Sequence, residues 1–141
     1  MTNDNRDLLT VLKKELEFLE KDGYRNRARA SWRPQFAFQD SPTCLNFDPT
    51  RQLRPCSECL LTQLAPQDMR QKKFPCRYIP LNEQGQTIDS FYRSGTRDEL
   101  ESELRRWLKA KIERLEKQKA KNQAALESVE IHVRATGRLA E

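Results

Sequence analysis

The sequence predicts an α+β protein of one domain, residues 1–141. Two amphipathic helices, about 5–21 and 97–127, flank an irregular β-containing module over 24–95, and a C-terminal strand covers 128–136. Three observations carry this expectation. Leucines recur at helical spacing near both ends of the chain. All seven prolines and all four cysteines fall between those ends. Several short stretches alternate apolar with polar side chains, the period of a strand rather than a helix.

The first helix rests on Leu9, Leu12, Leu16 and Leu19, spaced three, four and three apart and so aligned on one stripe. Lys13, Lys14, Glu15, Glu17 and Glu20 occupy the rest of its surface. Gly23 just beyond it is expected to terminate the helix in left-handed geometry. The middle stretch cannot hold long helices, because Pro34, Pro42, Pro49, Pro55, Pro66, Pro75 and Pro80 punctuate it. Trp32, Pro34, Phe36 and Phe38 predict one strand. Arg77–Leu81 and Thr87–Tyr92 predict two more, joined through Asn82–Gly85 as a hairpin. A short helix from Glu58 to about Leu64 is expected to stop before Pro66.

The second long helix opens on a capping box, Thr96-Arg-Asp-Glu99, in which threonine oxygen and glutamate carboxylate cap each other's amides. Leu100, Leu104, Trp107, Leu108, Ile112 and Leu115 form its apolar stripe, expected to pack on the leucines of the first helix. Past Leu115 the stripe is interrupted by Lys119 and Asn122, so that portion is read as exposed or laid against a partner. Val129, Ile131 and Val133 then alternate with Glu130, His132 and Arg134, predicting the C-terminal strand.

Composition narrows the function. No run of about 18 apolar residues predicts a membrane span, and the opening residues lack the cationic start and apolar stretch of a secretory signal. The expectation is a cytoplasmic protein, whose cysteines meet a reducing compartment that favours metal ligation over disulfides. Cys44, Cys56, Cys59 and Cys76 follow the pattern C-x11-C-x2-C-x16-C. The Cys56–Cys59 separation lets two thiolates grip one ion from a tight turn, and prolines beside Cys56 and Cys76 fix the approach of the chain. Structural zinc is the expected occupant. An iron–sulfur cluster, which also takes four cysteines, is the alternative, and four plain thiols are the third reading.

Basic residues point to an interaction surface. Arg25, Arg27, Arg29 and Arg33 surround Tyr24 and Trp32. Arg105, Arg106, Lys109, Lys111, Arg114, Lys117, Lys119 and Lys121 face only Glu113 and Glu116 along 105–121. Such residues suit either phosphates and bases or the carboxylates of a larger protein assembly. A solvated helix face is the plain alternative. Enzymatic chemistry is not expected: His132 is the single histidine, and no glycine-rich phosphate loop is present. The function expected is therefore binding. The chain reads as a metal-stabilised accessory subunit of a macromolecular assembly, with a nucleic-acid-binding zinc protein or an iron–sulfur electron carrier or sensor as alternatives.

Overall fold

A computed structural model describes residues 6–25, 36–48, 50 and 52–140, with side chains as far as residue 127. The architecture is helical, and no strand forms among the described residues, which overturns the α+β expectation. Helix α1 spans Leu8–Glu20, α2 spans Ile88–Ser94, and α3 runs from Arg97 to Ala140. Among the described residues four short 3-10 segments lie between α1 and α2: Cys56–Glu58, Leu60–Leu64, Gln67–Met69 and Pro75–Tyr78.

Helix α1 starts where Asp7 caps it, its carboxylate accepting from the Thr10 amide at 3.1 Å. Its end differs from expectation. The left-handed residue is Asp22 (φ 57°), not Gly23. Gly23 is needed instead for close approach, since a Cβ there would stand 2.5 Å from the Phe18 ring.

Helices α1 and α3 pack antiparallel, as three cross-links show. Arg25 meets Asp98 and Glu101, Glu20 meets Lys109, and Lys13 meets Glu116. Between them Leu9, Leu12 and Leu19 bury against Leu100, Leu104, Leu108 and Ile112, with Leu16 and Trp107 half-buried at the margin. The expected seam is therefore present. Val11 and Glu15 are also fully enclosed, because the connecting segment covers the flank of α1 that the leucine stripe leaves open.

Each expected strand fails for a local reason. Of the stretch 32–38, residues 32–35 lie outside the described residues. From Phe36 onward the chain turns: Asp40 accepts the Phe36 amide on its side chain at 2.7 Å and donates its own amide to the Phe36 carbonyl. Phe38 takes φ 64°, a costly geometry for a non-glycine residue, held by complete burial of its ring edge-on to Trp107. Over 77–81, Arg77 and Tyr78 end a 3-10 turn and Pro80 has no amide to donate. Ile79 and Leu81 are buried as an extended chain requires, and the turn at 82–85 closes through the Leu81 amide on the Gln86 carbonyl (2.8 Å). No hairpin follows, because the other arm is α2. Thr87 and Ser90 form a reciprocal cap there, at 3.1 and 2.8 Å, and Ile88 and Phe91 then face the core at helical spacing.

The expected helix over 58–64 appears as two successive 3-10 turns ending before Pro66. The capping box of α3 forms as expected, at 3.0 and 3.1 Å between Thr96 and Glu99. The C-terminal strand does not form: α3 continues through 128–136 to Ala140, because a helix satisfies its backbone internally and no neighbouring strand is available among the described residues. No helix among the described residues is long and apolar enough to cross a membrane.

Candidate metal centre

All four cysteines line one cavity of about 230 Å³, together with Phe38, Leu61, Phe74 and Pro75. None is in a disulfide. Separate contacts bring each sulfur there. Cys44 follows a turn closed by its amide on the Ser41 carbonyl at 3.1 Å. Two residues on, the Asn46 side chain clamps the Arg54 backbone on both sides, accepting the amide at 2.7 Å and donating to the carbonyl at 2.8 Å. This clamp sits two residues from Cys44 and two from Cys56, and so fixes one against the other.

Cys56 and Cys59 bracket a 3-10 turn, the Cys59 amide donating to the Cys56 carbonyl at 3.0 Å and the Thr62 hydroxyl to the same carbonyl at 2.6 Å. Cys76 is carried by the turn Pro75–Tyr78. Its neighbour Arg77 lies 3.7 Å over the Phe36 ring and donates twice to Gln39 Oε1, at 2.9 and 2.7 Å. Cation–π contact and forked donation together tie the last cysteine to the segment that delivers the first.

The sulfurs receive hydrogen bonds. The Asn46 amide donates to Cys44 Sγ at 3.4 Å, and Arg6 Nη2 donates to Cys59 Sγ at 3.8 Å while its other nitrogen donates to the Thr43 carbonyl. Burial pushes the thiols of Cys44, Cys56 and Cys76 above their ordinary range. The neighbouring Cys44 adds to this at Cys56, and Cys44, Cys59 and Cys56 add to it at Cys76. The four sulfurs thus stand in one another's field. Among the described residues no three His, Cys, Asp or Glu side chains are grouped closely enough to hold a metal ion as they stand.

A buried polar hub supports the cavity from the side of α1. Glu15 is 0% exposed and accepts from Tyr24, from Ser41 Oγ at 2.7 Å and from Thr43 Oγ1 at 3.1 Å. Tyr24 in turn accepts the Phe38 amide at 2.8 Å. Burial outweighs these donors and raises the Glu15 carboxyl above its usual value. Sequence reasoning placed Glu15 on the solvent face of α1. Its position three residues after Leu12 and four before Leu19 was the one signal that it shares their side.

The basic residues separate into groups. Arg27, Arg29, Trp32 and Arg33 lie outside the described residues. Arg25 is held within the molecule by Glu101, at 3.0 and 2.6 Å, and by Asp98. On α3, Arg106 pairs with Glu103, Lys109 with Glu20 and Lys117 with Glu113. Arg105 is half-buried, while Arg114, Lys119 and Lys121 project into solvent. The chain matches no protein-family model, no curated protein and no solved structure.

Proposed function

We propose that this chain is a non-enzymatic binding protein in which Cys44, Cys56, Cys59 and Cys76 hold a metal centre. The centre organises the proline-broken segment between α1 and α2, and the far part of α3 docks on an acidic surface of a larger protein. The observation that carries this reading is that four thiols from separate points in the chain line one small cavity. A segment built from short 3-10 turns has little internal cooperativity, and ligation supplies the folding energy that such a segment lacks.

The docking half rests on reach and charge. At about 1.5 Å per residue the 44 residues of α3 extend roughly 66 Å, whereas its buried contacts end at Ile112 and Leu115. Arg114, Lys119 and Lys121 lie in or beyond that last turn of core contact and are exposed, as is Leu126. Arg25, Arg106, Lys109 and Lys117 are engaged by carboxylates of the chain itself, which leaves the exposed residues beyond the core as the docking surface.

Elemental analysis of untagged protein purified without oxygen, combined with a count of native thiols open to a disulfide dye, tests the metal centre. Metal at fixed stoichiometry with shielded thiols is the expected result; metal-free protein whose four thiols all react at once overturns it. Titration against fluorescent single-stranded RNA tests the choice of partner. No saturable complex is expected, and a complex weakening steeply with salt would put nucleic acid in the protein's place.

A further inference from the structure

We infer that Arg6 is a positioning residue of the metal centre, bridging the backbone that delivers Cys44 to the sulfur of Cys59. The inference rests on the metal-centre reading above and adds to the four cysteines a residue that is not itself a ligand. The guanidinium reaches two ways. Nη2 donates to Cys59 Sγ at 3.8 Å, and Nη1 donates to the carbonyl of Thr43, the residue before Cys44. Arg6 lies 53 residues from Cys59 and 37 from Thr43, so neither contact follows from nearness along the chain. A planar fork with several N–H donors can serve two acceptors at once, which suits arginine to this place.

Thr43 is the joint through which Arg6 acts on Cys44. The Thr43 hydroxyl donates to Glu15 Oε2 at 3.1 Å, its amide donates to Ser41 Oγ at 3.1 Å, and its carbonyl accepts from Arg6. Side chain, amide and carbonyl of a buried residue are thus all held, and the backbone leaving it carries Cys44 to the cavity in a fixed direction. Two of those anchors belong to α1 or the residue pair before it, so the start of α1 braces the site from outside. Of the three, the Arg6 contact is the one that also reaches a second cysteine. Its positive charge acts in the same sense, standing close enough to Cys44 to offset part of the negative charge that a ligating sulfur carries. Outer groups that donate to metal ligands orient them and tune the site in this way.

Titration of the reduced, metal-free full chain with cobalt(II) tests the inference, since cobalt held by thiolates reports its site through its absorption. The parent is expected to saturate. A parent that takes up no cobalt overturns the metal-centre reading and this inference with it. Where the parent saturates, Arg6→Gln is expected to bind cobalt about 10–100-fold more weakly, the cost of losing an outer partner of a ligand. Its sulfur-to-cobalt charge-transfer band is expected at longer wavelength, because a hydrogen bond to sulfur lowers the energy of the electrons transferred. Binding as tight as the parent's, or an unmoved band, overturns the inference while leaving the metal centre standing. Arg6→Lys keeps the charge but offers one nitrogen to two acceptors, so it is expected to recover only part of the affinity. Full recovery overturns the bridge. Arg93→Gln removes an equal charge from an exposed site on α2 and is expected to bind as the parent does. An equal loss there would make net charge the cause and overturn the inference. The metal-free melting temperature of Arg6→Gln is expected to match the parent's, and a fall would make Arg6 a residue of the fold rather than of the centre.

Discussion

Glu15 shows how much a single side chain commits in this protein. It is a carboxyl on an otherwise apolar side of α1, enclosed completely, with three hydroxyls from two later segments turned toward it. Removing it strands Tyr24, Ser41 and Thr43 without their acceptor in a dry site. Glu15→Ala is therefore expected to destabilise the fold by about 2–4 kcal/mol in urea unfolding. The same residue sets a pH dependence. Because burial raises the folded-state carboxyl above 4.5, the native protein retains a proton that the unfolded chain has released. The stability that Glu15 contributes is thus fully present at low pH and declines as pH rises from its unfolded value through its folded one. Glu15→Gln, which keeps the shape and lets the hydroxyls reorient, is expected to flatten that decline. A variant whose slope above the ordinary carboxyl value matches the parent would assign the dependence to another group.

At the scale of elements, the helices were legible and the connections were not. Leucine spacing and the Thr96–Glu99 box locate α1 and the start of α3, because a helix is defined by local bonds that local residues specify. Strands need a partner, and a single sequence does not name one. Ile79 and Leu81 alternate with polar or proline neighbours and do sit extended and buried, yet the other arm of the supposed hairpin folds as α2 under a Thr87–Ser90 cap. With serine in the third helical position instead of glutamate or glutamine, that box was easy to miss. The end of α3 departs from expectation for the opposite reason: Val129, Ile131 and Val133 carry a strand period, but with no partner edge among the described residues the helix continues. The antiparallel pairing of α1 with α3 ends near Glu116, so the rest of α3 is expected to add nothing to the stability of the core. A chain ending at Lys121 should melt at the same temperature as the full chain while losing far-ultraviolet helical signal. A melting temperature that falls on truncation, and more so at low protein concentration, would show that the end of α3 covers a second copy.

For the molecule as a whole, two kinds of stabilisation meet at one segment. The α1–α3 seam is an ordinary hydrophobic contact between leucines of the two helices, and Cys59 and Cys76 pack only half-buried against the cluster to which it belongs. Among its described residues, the segment from Phe36 to Ile79 has no regular element longer than five residues, and it joins the seam through Phe38, Leu60, Leu61 and Ile79 and through the Glu15 hub. The cysteine spacing was visible in the sequence; that the four sulfurs ring a cavity was not, since it depends on the Asn46 clamp and on Arg77 over Phe36. Loss of the proposed metal centre should therefore act unevenly. Removing the metal with a chelator is expected to leave the helical signal nearly intact while abolishing near-ultraviolet dichroism from the Phe38–Trp107 contact and exposing residues 36–79 to protease. The seam does not depend on ligation, so helix and loop should separate into two transitions where the loaded protein shows one. One transition for both forms, with the loop equally resistant, would mean that hydrophobic contact alone holds the segment and that the cysteines have another use.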